Sequence, residues 1–350
     1  MIENEFPKVK VAAVHAASVF LDLDACVDKA CGFIAQCAAN GAKLIVFPEA
    51  FIPGYPFWIW THTAFAGSAL YQKLFANSVT LDGDAVKKLG ASARKAGAYV
   101  VIGVTEREHT SLYNTLLFFD DQGELIGRHR KLQMTHMERV IWSRGDGEGL
   151  KIYDTPHGRL GGLICGEHSL DLVRHALTCQ HEQIHVSVWP GLSAISYNPR
   201  AAIFSELSEV AARYHAFAGQ CFVISVHSRV DEDTIAKLGL ADRPDMIRTG
   251  GGHTMIVSPD GVTLAGPHLD DEDVLYAELD LTHIIRARQI YDSTGHYSRS
   301  DVVQLQLNQH APSGMLRTPA AAPADRARAG ETHETATPAP TPHDNAAGGR

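Results

Sequence analysis

Short apolar runs rich in Val and Ile alternate with helix-period segments along most of the chain, and this alternation limits the fold more than any other feature. The runs cover residues 9–15, 44–47, 99–104, 114–119, 159–165, 184–189, 221–227, 254–257 and 274–279. Each is strand-length and carries the β-branched residues that suit a pleated surface. Between the first two runs, Val27, Ala30, Ile34 and Cys37 fall three or four apart, and Gly41 follows where a helix ends. A second helix is expected over 83–96, with Val86, Leu89, Ala93 and Ala96 on one face. A third follows Cys165, with Leu172, Ala176 and Cys179 as its apolar positions. The fourth, over 200–218, carries Phe204, Leu207, Val210, Ala211, Tyr214 and Phe217. Strand–helix alternation predicts an α/β protein with helices covering sheet faces. Asp120-Asp-Gln-Gly123 and Ser258-Pro-Asp-Gly261 read as hairpin turns, so the sheets should be mixed.

A hydrophobic fraction of 45% supplies a core without disulfides. The formal charge of −9 argues against nucleic acid and anionic lipid as partners, because both select basic surfaces. No stretch approaches the roughly 18 apolar residues of a membrane span. The opening MIENEFPKVK reads as neither a secretory signal nor a transit peptide. Cysteines 26, 31, 37, 165, 179 and 221 show no paired spacing, so a reduced, cytoplasmic protein is expected. Most of them read as small buried hydrophobes. Residues 1–310 are expected to form one domain. Residues 311–350, rich in Ala, Pro, Thr and Gly, are expected to form a disordered tail.

Three residues stand out as candidates for chemistry, two of them at the ends of apolar runs. Cys165 closes a buried strand and precedes a helix, where the helix N-terminus favours a thiolate. Taken alone, it reads sooner as a buried structural cysteine. Glu49 ends the strand Lys43-Leu-Ile-Val-Phe-Pro-Glu49 and is followed by Ala50-Phe-Ile52. A carboxyl with such apolar flanks is partly desolvated, which raises its pKa toward that of a useful base. Lys131 belongs to the basic stretch 127–131, with Glu138, Arg139 and Trp142 shortly after. A lysine held there offers positive charge to a developing anion. Tyr55, Phe57, Trp58, Trp60, Trp142 and Trp189 are candidates for the wall of an apolar pocket. Nineteen histidines raise the question of a metal, but no HExxH or zinc-type pairing occurs. His157, His168, His175 and His181 read as ordinary surface or helix residues, and no metal or organic cofactor is expected. The Gly250–Gly252 run lacks a phosphate loop's ending.

Together, Phe47-Pro-Glu49, His129-Arg-Lys-Leu132 and Ile164-Cys-Gly-Glu167 resemble the nitrilase superfamily, known for a Glu–Lys–Cys triad in that chain order. The likeness runs from about Val9 to Leu307. Further stretches resemble the nitrilase branch itself: Pro53-Gly-Tyr-Pro56 with Trp58 and Trp60, Glu138-Arg139 with Trp142 and 145–147, and Gln183-Ile-His185. Trp189-Pro190, 250–253 and Gly295-His-Tyr-Ser-Arg299 extend the likeness. The resemblance implies a four-layer α-β-β-α sandwich and catalysis by Glu49, Lys131 and Cys165. It also implies Glu138 as a second carboxylate near the thiol, and homodimers built into larger spiral assemblies. The implied substrate is an organic nitrile, taken to acid and ammonia through a thioimidate. The alternatives are a cyanide hydratase or dihydratase, an amidase, and a non-catalytic scaffold on the same fold. Gly166, Glu167 and His168 join the pocket candidates. Gly166 stands where many nitrilases carry Trp, Ser169-Leu-Asp171 departs from the usual stretch, and Gln133-Met134 stands where Pro is often found.

Overall fold

The computed structural model describes residues 6–63, 65–268 and 271–309. The expected tail, 311–350, lies outside the described residues. Among the described residues twelve strands form: β1 Lys8–His15, β2 Leu44–Val46, β3 Tyr99–Glu108, β4 Ser111–Phe119, β5 Leu125–Arg130, β6 Tyr153–Thr155, β7 Gly158–Ile164, β8 Ile184–Trp189, β9 Phe222–His227, β10 Thr254–Val257, β11 Thr263–His268 and β12 Asp273–Asp280. The main helices are α1 Leu23–Ala39, α2 Asp84–Ala96, α3 Asp171–Thr178 and α4 Phe204–Gly219.

The strands build two six-stranded sheets, β12-β1-β2-β3-β4-β5 and β11-β10-β9-β8-β7-β6. Each has a parallel centre, β1-β2-β3 in one and β7-β8-β9 in the other, with antiparallel neighbours outside. Both expected hairpins form, joining β4 to β5 and β10 to β11. The period-2 alternation of strands sorts side chains into layers. Val9, Val11 and Ala13 of β1 meet Ile184, Val186, Ile224 and Val226 of the second sheet. Ala12 and Val14 face the other way, onto Val27, Ala30, Ile34 and Cys37 of α1 and Val86, Leu89 and Ala93 of α2. On the far side, Ala212 and Ala216 of α4 pack on Val223 and Val257. The result is the four-layer α-β-β-α sandwich.

Helix boundaries follow local chemistry. The Asp22 side chain accepts from Ala25 N at 3.0 Å to cap α1, and Gly97 ends α2 in the left-handed conformation at φ 57°. Strands β5, β6 and β11 do not stand among the expected apolar runs, because each is an edge strand with few apolar residues. Two helix faces differ from expectation. In α4 the buried side is Ser208, Ala212, His215 and Ala216, whereas Leu207, Val210, Tyr214 and Phe217 face outward. Close approach to the sheet favours small residues there and turns the large ones away. In α3 Leu172 and Cys179 are exposed and Arg174, Ala176 and Leu177 are buried. A tight turn over Cys165–Ser169 precedes α3 and resets its phase.

Candidate active site

Each of the three strand-end residues is delivered by a turn that the fold has to accommodate. Glu49 follows β2 through Phe47 and Pro48, and Ala50 beyond it takes a left-handed φ of 46°. The turn passes so close to β3 that a Cβ on Gly103 would lie 2.3 Å from Pro48 O and 2.8 Å from Glu49 Cα. Only glycine leaves that space. Lys131 follows β5, and its N–H donates to Asn114 O on β4 at 2.8 Å. Cys165 follows β7 at φ 51°, a strained value for a residue with a side chain.

The three side chains meet, with Glu138, in a buried cluster where none is more than 1% exposed. Lys131 Nζ donates to Glu138 Oε2 at 2.7 Å and to Glu49 Oε1 at 3.1 Å. Asn114 Nδ2 donates to the same Glu49 oxygen at 2.6 Å. Glu138 is further held by Tyr55 Oη at 2.9 Å and by Thr135 N at 2.9 Å. One oxygen of Glu49 and the sulfur of Cys165 lie, with an oxygen of Glu138, within 4.8 Å of one another. Those three atoms are also potential metal ligands, and the Lys131 ammonium already supplies a cation to both carboxylates.

Burial decides the protonation states. It pushes Glu49 up to about 7, opposed by the Lys131 ammonium and assisted by the Glu138 anion. It pushes the Cys165 thiol well above its ordinary value, with Lys131 pulling the other way. Lys131 loses to burial but gains more from Glu138 and Glu49, so it stays a cation. Glu49 Oε2 has no hydrogen-bond partner. It is the one carboxylate oxygen of the pocket left free to take a proton from a thiol or a water.

The pocket candidates divide. Tyr55 is buried on Glu138, takes a hydrogen bond from Trp60 Nε1 at 3.1 Å and packs edge-on to Trp142 at 5.7 Å. Trp58 lines a cavity of about 410 Å3 with Ile59, Tyr71, Met137 and Ile141, and Cys165 is not among the residues of its wall. A Cβ at Gly166 would lie 2.6 Å from Thr135 Oγ1, so the missing side chain is space that Thr135 uses. Glu167 leaves no oxygen for a substrate: it accepts from Leu132 N at 2.7 Å, Ile164 N at 2.8 Å and His129 Nε2 at 2.9 Å. It clamps the cysteine strand to the lysine loop. Trp189 stacks between His168, at 5.0 Å, and His227, at 5.8 Å. The surface or helix reading of His168 is corrected, since the ring is 3% exposed and its Nδ1 bonds Cys165 O at 2.8 Å. Asn114, His129 and Gly103 were missed by sequence reasoning. The only signal for Asn114 was an amide inside an apolar strand, and for Gly103 a glycine in the middle of one.

The carbon-nitrogen hydrolase family model matches residues 10–289. A nitrilase of Pseudomonas syringae pv. syringae is 42% identical over 302 residues, covering 86% of this chain and 90% of that protein. An aliphatic nitrilase of Rhodococcus rhodochrous is 42% identical over 306 residues, covering 86% and 82%. Among solved structures, a carbon-nitrogen hydrolase from Helicobacter pylori superposes with a TM-score of 0.67 at 18% identity, covering 84% of this chain and 96% of that one. That likeness concerns the fold.

Proposed function

Because the chain belongs to the carbon-nitrogen hydrolase family, in its nitrilase branch, we propose that it hydrolyses organic nitriles to carboxylic acids and ammonia. It is a hydrolase of carbon–nitrogen bonds. The observation that carries the finer reading is the sealed group of Glu49, Lys131, Glu138 and Cys165, a thiol beside a base with one free oxygen and a buried ammonium.

Glu49 Oε2 takes the Cys165 proton, and the sulfur adds to the nitrile carbon. The proton passes to nitrogen, with Lys131 stabilising the charge that develops there, and a thioimidate forms. One water, activated by Glu49, adds to it. Expulsion of ammonia then leaves a thioester. A second water frees the carboxylic acid and restores the thiol. Glu138 and Asn114 hold Lys131 and Glu49 in register throughout.

Six free cysteines support a reduced, cytoplasmic setting. Among the described residues, no helix is long and apolar enough to cross a membrane. The outward stripe on α4 supports assembly of homo-oligomers through a dimer. The test of function is ammonia release from benzonitrile, phenylacetonitrile, an aliphatic dinitrile, cyanide and acetamide, with Cys165→Ala alongside. Turnover of organic nitriles that vanishes in the variant supports the reading. Turnover confined to cyanide or acetamide replaces it with a hydratase or amidase.

A further inference from the structure

Behind the nucleophile, a line of buried side chains ends on its own peptide group. His168 Nδ1 bonds Cys165 O at 2.8 Å, and His168 Nε2 lies 2.9 Å from His185 Nε2. His185 Nδ1 then meets Glu182 Oε1 at 2.8 Å, and Glu182 Oε2 meets His215 Nε2 at 2.9 Å. All four residues are at most 3% exposed. Strand β7 leaves room for Glu182, since a Cβ on Gly161 would lie 2.1 Å from its Oε1. His185 and His215 stack with ring centroids 3.7 Å apart.

Counting protons sets the state of this line. A carbonyl only accepts, so His168 must donate from Nδ1. If His168 is neutral, its Nε2 is a lone pair and His185 Nε2 must donate to it. The link from His185 Nδ1 to Glu182 and the link from His215 Nε2 to Glu182 need one proton each. Four hydrogen bonds therefore require one proton more than three neutral imidazoles carry. Burial and the neighbouring rings hold His168 and His215 below the ordinary histidine range, His215 at about 4. Glu182, although buried, is held down to about 2 by the histidines around it. The extra proton therefore lies within the hydrogen-bonded line that joins Glu182 to His168.

The Cys165–Gly166 peptide joins this line to the sulfur. Its carbonyl accepts from His168, while its N–H, next in the chain to the Cys165 side chain, acts on the sulfur in the direction of the thiolate. Hydrogen bonding at one end of a peptide polarises the other, and buried chains strengthen cooperatively. We propose that Glu182, His185 and His168 form a polarising chain that strengthens the Gly166 N–H as donor to the Cys165 sulfur. They are positioning residues, acting through the peptide rather than touching substrate. The other groups that bear on the two ends are Arg174, beside His168 and His215, and Lys131, Glu49 and Glu138, beside the sulfur. The proposal rests on Cys165 as the nucleophile.

The first measurement is nitrogen-15 NMR of wild-type protein labelled at histidine. One imidazole protonated at both nitrogens is expected in wild type, as the count of hydrogen bonds requires, and to be lost in Glu182→Gln. The second is the pH profile of Cys165 alkylation by iodoacetamide, read on the Cys165 peptide by mass spectrometry, beside kcat and KM for the best nitrile. Glu182→Gln and His168→Phe are expected to lower kcat about tenfold, with KM little changed and the alkylation profile moved to higher pH. His168→Asn, which keeps a donor for the carbonyl, is expected to recover part of kcat. An unshifted profile, no doubly protonated ring in wild type, or stoichiometric zinc bound at Glu182, His185 and His215 would each overturn the chain. Retained turnover in Cys165→Ala would instead sink the nucleophile assignment, whatever the histidines show.

Discussion

Glu138 Oε2 lies 2.7 Å from Lys131 Nζ, and both groups are sealed from water. At that distance in a dry pocket, the second carboxylate holds the ammonium as firmly as Glu49 does at 3.1 Å. Glu138→Gln keeps the volume but removes one of two charges that stabilise Lys131. The expected outcome is a loss of kcat of about 10²-fold with KM affected less, because the lysine is needed most where charge develops. Ammonia release under steady-state conditions measures it. Activity within about twofold of wild type would show that Glu138 is packing alone.

The pH profile follows from Glu49. Burial raises its pKa to about 7, so the base form is lost as pH falls through that value. For nitrile hydrolysis, kcat/KM should therefore decline on the acid side with a midpoint near 7. The Glu138 anion contributes to the rise, since a like charge disfavours ionisation. Glu138→Gln should accordingly move the acid limb to lower pH, even while it lowers the plateau. The stability consequence has the opposite sense to that of an ion-paired acid. A carboxyl with a raised folded pKa binds its proton more tightly when folded, so its contribution to stability falls as pH rises from 4.5 to about 7. A limb that moves upward in the variant would contradict the electrostatic assignment.

Gly103 carries a purely steric prediction. The atoms a Cβ would meet are Pro48 O at 2.3 Å and Ala50 N at 2.6 Å, both backbone, which cannot swing aside. Gly103→Ala must push β3 away from the Glu49 turn, at a cost of about 1–3 kcal/mol. Thermal unfolding should show a lower Tm, and residual activity should fall more than stability alone explains, because Glu49 moves with its turn. An unchanged Tm would mean that the turn yields freely.

How much of this was legible depends on how local each determinant is. The core strands and the α1 and α2 faces declare themselves through period and composition, and Val27, Ala30, Ile34 and Cys37 are all buried as their spacing implies. Glu49 and Cys165 were visible for the same reason, as polar groups at the ends of apolar runs, whereas Lys131 showed through the basic stretch that holds it. Helix α4 misled because its large apolar residues read as the core side, whereas Ser208, Ala212 and Ala216 allow the close approach. The histidine line was illegible. His168, His185 and His215 lie far apart in sequence, and no local pattern says that their rings converge on Glu182. Gly161 and Gly103 stood out only as glycines inside apolar runs, which does not name the carboxylate and the turn they make room for.

The outward face of α4 yields the last prediction. Leu207, Val210, Tyr214 and Phe217 are 56%, 65%, 51% and 44% exposed and recur at three- and four-residue spacings, so they form one stripe along the helix. Full burial of such side chains is worth about 1.5–3 kcal/mol each, and an isolated chain leaves much of that unrealised. A second copy of the chain would cover the stripe in a two-fold dimer, each helix packing on its counterpart. Light scattering behind size exclusion is expected to find wild-type protein larger than one chain. Val210→Glu, which puts a charge at the most exposed position of the stripe, should shift it toward the monomer. Because the stripe lies on the outer side of α4 and Ala212 and Ala216 still face the sheet, Val210→Glu should fold normally. A wild-type protein that runs as a monomer, or a variant with unchanged mass, would remove this face as the dimer contact.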